Sequence, residues 1–415
     1  MKTIAIIGAG AAGSICAIEL KRRIPSAEVD VYEAGKRPLA KVAITGGGRC
    51  NLTNSFEGIR SLGEAYPRGE KLMKRLFRNF GHAETLRWFE DEGIRFVLQE
   101  DHCYFPASQD AMEIVNMLCL RMRQEGVRIH TGHKVTTVRR KETQGYVLSF
   151  EDKPDAFADI AVVATGGCQS KSSQNMLEAL GLEIVPPVPS LFSFNISDRE
   201  LTALMGTVVE EASVTFAGTG FSGKGPLLIT HWGLSGPAIL KLSSHAARHL
   251  ADKAWKGRLL VNWTGMKEQE LRPMLGTLAS AQSHKKISNT HPDTIPVRLW
   301  GHILRKAGAR EDLRWNELGT KGLNRLVNTL LNDEYEVTGK SRFKEEFVTC
   351  GGIALQNLNP STLETKTSPG LYFAGEVTDV DAITGGFNLQ AAWTMGYTVA
   401  GAIEAKAKAY SVLPG

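Results

Sequence analysis

Lys2-Thr3-Ile4-Ala5-Ile6-Ile7-Gly8-Ala9-Gly10-Ala11-Ala12-Gly13-Ser14 is the stretch whose reading decides the fold. The apolar run up to Ile7 reads as a short strand buried on both faces. Gly8 to Gly13 spells G-x-G-x-x-G, with Ala12 just before its last glycine. Ser14 to Arg23 reads as a helix, with Ile15, Ala17, Ile18 and Leu20 on its apolar positions. Glu28 to Glu33 reads as a second strand that ends in an acid. Gly8 allows a tight turn, and Gly10 lets backbone approach a pyrophosphate. Gly13 lets the helix pack close to the strand, and the helix N-terminus faces the phosphate charge. Glu33 follows Gly13 by twenty residues, where a carboxylate accepts hydrogen bonds from ribose hydroxyls. Strand, glycine turn, helix, strand and acid in this order predict a dinucleotide site. A ligand-free glycine turn would leave the terminal acid unexplained.

The chain has 415 residues, enough for two or three domains around large cores. Hydrophobic residues make up 42% and charged residues 22%, as in an ordinary globular enzyme. The net charge of +5 is too diffuse to argue for nucleic acid. Basic clusters at Lys21–Arg23, Lys71–Arg78 and Arg139–Lys141 read as solvated helix faces and turns. The six cysteines form no C-x-x-C pair, so neither a metal site nor a disulfide framework is expected. No apolar stretch approaches the ~20 residues of a membrane span. The chain starts directly on its first core strand, so no signal peptide and a cytoplasmic location are expected. Three N-x-S/T sequons, at Asn51, Asn195 and Asn262, read as chance matches.

The second informative stretch is Thr45-Gly46-Gly47-Gly48-Arg49-Cys50-Asn51-Leu52-Thr53-Asn54. No apolar period runs through it, so it reads as a loop rich in donors, suited to an anion or a heteroaromatic edge. Residues 69–93 read as a helix, Val97–Phe105 as a hairpin, and Ala111–Gln124 as an amphipathic helix. Strands at Val127–His130, Lys134–Arg139 and Tyr146–Phe150 lead to Asp159–Val163. That buried strand ends in Ala164-Thr165-Gly166-Gly167, beside the first glycine turn if both strands share a doubly wound sheet. Pro186–Pro189 marks a boundary. Beyond it, Leu191–Ile196, Val208–Phe216 and Pro226–Thr230 suggest an antiparallel sheet or small barrel, and residues 265–335 are mostly helical. Gly218–Gly223 repeats G-x-G-x-x-G, but a strand rather than a helix follows. It therefore reads as a hairpin tip. The opening style returns late, in Leu371–Phe373 followed by Gly375 and Glu376, then Asp379 and Gly385-Gly386-Phe387-Asn388-Leu389 at the start of a last helix.

Together these motifs resemble the two-dinucleotide-binding-domain FAD flavoproteins, and more narrowly the BaiN-like (YhiN-like) NAD(P)/FAD-dependent oxidoreductase family. The likeness rests on Gly46–Asn54, on Thr230-His231-Trp232-Gly233-Leu234-Ser235-Gly236-Pro237, and on Gly370–Asp381 running on to Thr384–Gln390. It implies a Rossmann-like FAD domain from both chain ends, 1–189 and 346–415. A cap at 190–345 is inserted, β-barrel-like at about 190–262 and 320–345 and helical at about 263–319. The resemblance puts Gly8, Gly10 and Gly13 at the FAD pyrophosphate and Glu33 at the adenosine ribose. Val135 meets the adenine through its backbone, and Arg49, Cys50, Asn51, Leu52 and Thr53 line the flavin. Asp379 goes to the ribityl–phosphate region, with Gly386, Asn388 and Leu389 near the isoalloxazine. Relatives usually continue Ala-Thr-Gly-Gly with Gly-Ser-Thr-Gly-Asp-Gly; here residues 169–175 differ, and Lys171 stands where relatives carry an acid. FAD binding is expected to survive this change.

Three functions follow as expectations. The first is a flavin-dependent reductase or dehydrogenase of a small apolar carbonyl or enone, with NAD(P)H as a possible donor. The second is a flavoenzyme acting on RNA, and the third a flavin-binding protein without turnover. A small-molecule partner is expected, without nucleic acid or membrane. No second Rossmann fingerprint is present for a nicotinamide. His231 is the candidate general acid, against a hydrogen-bonded structural histidine. Cys50 reads as a small residue in a crowded flavin loop rather than a redox thiol.

Overall fold

The structure is a computed structural model and describes residues 2–142, 144–168, 170–310, 312–341 and 348–412. The chain divides into two compact units. The first holds the residues up to Pro189 and those from Val348 onward; the second begins at Ser190. The expected return junction at 345–346 and Gln169 of the altered 169–175 stretch lie outside the described residues.

The first unit is built on a five-stranded parallel sheet. Its order is Leu371–Phe373, Ile160–Val163, Thr3–Ile7, Glu28–Glu33, Arg128–Thr131. The central strands are apolar on both faces, and Ile4, Ile6, Val162 and Phe373 are all buried. The chain order reverses between Thr3–Ile7 and Ile160–Val163. A doubly wound sheet binds ligands outside the carboxyl ends of its strands at such a point. The helices Ala11–Arg23 and Phe387–Val412 pack closely: a Cβ on Gly396 would sit 2.3 Å from the Ala12 carbonyl oxygen. The crossover into Ile160–Val163 is a three-stranded antiparallel sheet of Val135–Arg140, Tyr146–Phe150 and Ala156–Ala158, made of strands as its sequence indicates.

The structure departs from the sequence reading in several places. Residues 69–93 form two helices, Glu70–Leu76 and His82–Asp91. The break falls at Gly81, whose N–H donates to Glu84 in a new N-terminal cap. The Pro-rich boundary is itself extended: Ile184–Ser190 pairs with Val348–Ile353. Prolines are tolerated there because a two-stranded pair leaves one edge free of ladder bonds.

The second unit holds a closed six-stranded barrel, ordered Phe194–Ile196, Gly233–Ser235, Ser222–Thr230, Val208–Phe216, Gly257–Asn262, Asp333–Lys340. Alternation in Val208–Phe216 sends Val214 and Phe216 inward, as the period-two pattern indicates. Residues 217–221 are the hairpin tip between two of its strands, so the second glycine motif is no phosphate loop. Gly223 is instead a packing glycine, since a Cβ there would lie 2.0 Å from the Ala238 carbonyl oxygen. Barrel strand resumes only at Asp333, not at about 320. Gly319–Leu331 is a helix because Leu326, Val327 and Leu330 recur at helical spacing and are all buried. Leu191 to Ser193 does not join the barrel; the strand is Phe194–Ile196 alone.

One side of the barrel buries a charge cluster. Asp333 accepts from Trp263 Nε1 at 2.9 Å and from the Tyr335 hydroxyl, and pairs with Lys306. His302 Nε2 lies 3.1 Å from that hydroxyl. Burial depresses the His302 pKa and keeps the ring neutral.

Candidate functional site

The first glycine turn closes on the neighbouring strand. Gly8 has φ +105°, and a Cβ there would lie 2.4 Å from the Ala164 carbonyl oxygen. Only glycine fits this conformation and this approach. Gly13 is equally confined, with a built Cβ 2.0 Å from the Gly8 carbonyl oxygen. Gly10 is different: a Cβ there would meet nothing within 4 Å. Gly10 caps the helix Ala11–Arg23 without a side-chain hydrogen bond, and the first helical turn holds no acid. That turn therefore carries no acid of its own to meet its free amides.

Glu33 closes the turn from the second strand. Its Oε2 accepts the Ala9 N–H at 2.9 Å and its Oε1 the Gly35 N–H at 2.7 Å. Each oxygen keeps a further lone pair for a hydroxyl donor. Val135, half-buried, begins the strand of the crossover sheet, two residues beyond His133, whose N–H donates to the Glu33 carbonyl. Thr165 is exposed beyond Val163, with Gly166 at φ +75°. Gly375 packs against the first helix; its built Cβ would lie 3.1 Å from the Ala12 Cβ.

The second frame joins residues more than three hundred apart in sequence. Gly385 and Gly386 have φ +122° and +85°, and the last helix starts at Phe387. A Cβ on Gly386 would lie 2.6 Å from both Asn51 Oδ1 and the Thr53 carbonyl oxygen. Asn54 donates to the Gly385 carbonyl at 3.1 Å, Thr53 to Gln390 Oε1 at 2.5 Å, and Trp393 Nε1 to the Leu52 carbonyl at 3.1 Å. These bonds seat residues 50–54 on the N-terminal turns of the last helix. Within this frame Asn51 Oδ1 is buried and has no hydrogen-bond partner. A buried carbonyl oxygen left without a donor costs ~1–3 kcal/mol, so a ligand donor is the natural complement.

Several predicted side chains point into the protein rather than into a site. The Thr45–Asn54 loop is in part helix: Ala40–Gly48 is helical up to a kink where Thr45, Gly46 and Gly47 leave helical dihedrals. Cys50, Leu52 and Thr53 are buried, so this stretch offers backbone more than side-chain donors. Burial pushes the Cys50 thiol up to about 12, which leaves it neutral and unreactive. The Asn388 amide clamps the loop before it, bonding Ala382 through both its oxygen and its nitrogen; Leu389 beside it is half-buried. Asp379 donates its backbone N–H to Ile353. Arg49 is exposed and lies 4.3 Å over the Phe105 ring. That ring is buried.

Sequence reading missed two neighbours of these turns. Lys41 pairs with Glu376 at 2.6 Å. Phe56 packs edge-on at 5.0 Å against Phe387 and at 5.6 Å against Phe77, beside the second glycine turn. Neither carries a motif, because each depends on a contact between distant segments. His231 lies in the second unit, exposed in a two-residue turn between barrel strands, with its ring 4.4 Å from Trp232. Among the described residues no cluster of His, Cys, Asp and Glu could hold a metal, and no helix is long and apolar enough to cross a membrane.

The family model described as HI0933-like protein Rossmann domain matches residues 2–402. The chain belongs to this family. The BaiN-like (YhiN-like) likeness drawn from the motifs agrees with that placement. This HI0933-like chain is 27% identical over 418 residues to the 3-dehydro-bile acid delta(4,6)-reductase of Clostridium scindens, covering 96% of this chain and 98% of that one. It is 28% identical over 410 residues to the ribosomal RNA dihydrouridine synthase of Escherichia coli, covering 95% and 96%. Among solved structures, it shares its fold with the 3-ketosteroid-delta4-(5alpha)-dehydrogenase of Rhodococcus jostii. There the TM-score is 0.51 at 14% identity, over 97% of this chain and 96% of that one. The FrdA chain of Escherichia coli quinol fumarate reductase matches with a TM-score of 0.51 at 15% identity, over 100% and 72%.

Proposed function

We propose that this HI0933-like protein is an FAD-dependent oxidoreductase acting on a carbon–carbon bond conjugated with a carbonyl. The observation that carries the reading is Asn51 Oδ1, a buried acceptor without a donor, set against Gly386 between two glycine turns. A flavin ring brings N–H donors to such a place. The residues fit the rest of the cofactor. Gly8, Gly10, Ala12 and Gly13 offer open backbone and unpaired amides to a diphosphate, and Glu33 keeps lone pairs for a ribose. Val135 stands for the adenine. Arg49 to Thr53, Gly386, Asn388 and Leu389 frame the flavin half through backbone, with Thr165, Gly166, Gly167, Gly375, Glu376 and Asp379 between the two ends. FAD bound here supplies hydride chemistry, and the chain supplies orientation and electrostatics. The positive end of the helix from Phe387 favours negative charge beside it. The FAD domain from both chain ends, with an inserted cap, belongs to this proposal.

The two relatives described above bear names that describe saturation of an enone-like double bond: the 4,6-bonds of a 3-oxo steroid acid, or the C5–C6 bond of a uracil ring. A small, flat carbonyl compound with NAD(P)H as donor is the first reading. The test is direct. Purified protein should be yellow, release FAD on denaturation, and bleach anaerobically with NADH or NADPH, then regain colour with a 3-oxo-4,6-diene acid. A colourless protein that takes up no FAD ends the cofactor reading. A flavin that no donor reduces supports the non-turnover alternative instead.

One observation favours RNA as the second reading. Lys71, Lys74, Arg75 and Arg78 are exposed and recur at helical spacing along Glu70–Leu76 and its continuation, which concentrates charge that composition shows only as diffuse. Reoxidation by a uridine-bearing rRNA fragment but not by the steroid acid selects this reading.

His231 belongs to the proposal as general acid. His231→Ala should keep FAD and lower turnover by roughly 10²–10⁴-fold. Unchanged turnover removes His231 from the reaction and leaves it as a surface residue of the barrel turn.

A further inference from the structure

Lys41 and Glu376 approach each other from the two flanks of the first glycine turn. On one side, the Leu39 N–H donates to the Ala9 carbonyl at 2.8 Å, which pins the start of the Ala40–Gly48 helix beside the turn. Lys41 projects from that helix, with 54% of its side chain exposed. On the other side, Gly375 packs on Ala12, in the first turn of the Ala11–Arg23 helix, and Glu376 follows it. The Glu376 carboxylate accepts the Thr349 N–H at 2.8 Å through Oε1 and Lys41 Nζ at 2.6 Å through Oε2. It also borders the other glycine pair: a Cβ on Gly167 would lie 2.8 Å from Oε1.

An ion pair whose lysine is this exposed contributes little stability, so stability does not account for it. Its charges have a local consequence instead. The first turn of the Ala11–Arg23 helix holds no acid of its own, and Glu376 follows Gly375, whose built Cβ would lie 3.1 Å from Ala12 Cβ in that turn. Unneutralised, that carboxylate would repel a diphosphate there. Lys41 is long, flexible and mostly in solvent, so its ammonium can exchange one anion for another without moving the backbone.

We propose that Lys41 is a diphosphate-binding residue, held by Glu376 in the free protein and transferred to the dinucleotide diphosphate on binding. The proposal rests on the FAD reading above. In it Glu376 is a competitor for Lys41, and Thr349 keeps the carboxylate in place after the exchange. The two members of one ion pair then act on cofactor affinity in opposite directions.

The test measures the Kd of apoprotein for FAD by flavin fluorescence quenching, at low and high salt. It compares wild type, Lys41→Met, Lys41→Arg and Glu376→Gln, and near-ultraviolet circular dichroism of each apoprotein reports folding. Lys41→Met should weaken binding by roughly 10–100-fold, the range of a lost charge-assisted bond, and flatten the salt dependence. Lys41→Arg should hold affinity near wild type. Glu376→Gln, which keeps an acceptor for Thr349, should tighten binding. If wild type binds FAD but Lys41→Met and Glu376→Gln shift affinity in the same direction, or neither shifts it, the exchange is overturned and the cofactor reading stands. If wild-type apoprotein takes up no FAD, both fall.

Discussion

Gly10→Val is expected to yield a folded, colourless protein. The position is open on the protein side, since a Cβ there meets nothing within 4 Å, and its φ of −84° suits any L residue. The valine methyls instead occupy the space in front of the helix amides, where the diphosphate is proposed to sit. Affinity for FAD should fall by roughly a thousandfold, about 4 kcal/mol, while apoprotein melting stays near wild type. Gly13→Val is the contrasting substitution. Its Cβ would lie 2.0 Å from the Gly8 carbonyl oxygen, so it separates helix from strand and should give insoluble protein. Absorbance at the flavin band, set beside the melting curve of each variant, distinguishes a blocked site from a broken fold. A Gly10→Val protein that purifies yellow with wild-type FAD content would place the diphosphate elsewhere.

Asp333→Ala is expected to be the most damaging single change in the second unit. The Asp333 side chain is 2% exposed and serves Trp263, Tyr335 and Lys306 together. Removing it leaves the indole N–H buried without an acceptor, takes the carboxylate from the phenol hydroxyl, and leaves Lys306 without its counter-charge. Breaking a buried charged pair from one side costs about 3–5 kcal/mol, against a typical total stability of ~5–15 kcal/mol. Denaturant unfolding followed by tryptophan fluorescence is a suitable probe, because Trp263, Trp300 and Trp315 are all buried in this unit. A loss under ~1 kcal/mol would mean that water replaces the missing carboxylate, and that the cluster is more accessible than its burial indicates.

Much of what is written in consecutive residues was legible from the sequence alone. The Thr3–Ile7 strand, the glycine turn, the helix behind it and Glu33 at the end of the next strand are set by local spacing, and so is the alternation of Val208–Phe216. The same holds for the second glycine motif, whose lack of a following helix excludes a phosphate loop. These features follow from backbone sterics and side-chain period, which act over a few residues. What required the tertiary structure was which turns meet. The residues of Gly46–Asn54 and Thr384–Leu389 do not by themselves mark the two as partners; only the family resemblance sets both at the flavin. Their joining depends on Trp393 reaching Leu52 and on Gly386 having no side chain where Asn51 Oδ1 sits. Only packing shows that Thr53 and Asn388 spend their side chains on the scaffold, and that Lys41 and Glu376, 335 residues apart, share one ion pair. The physical reason is range. Propensity and period are properties of a segment, whereas an unsatisfied acceptor or a competing charge exists only once distant segments have excluded water from the space between them.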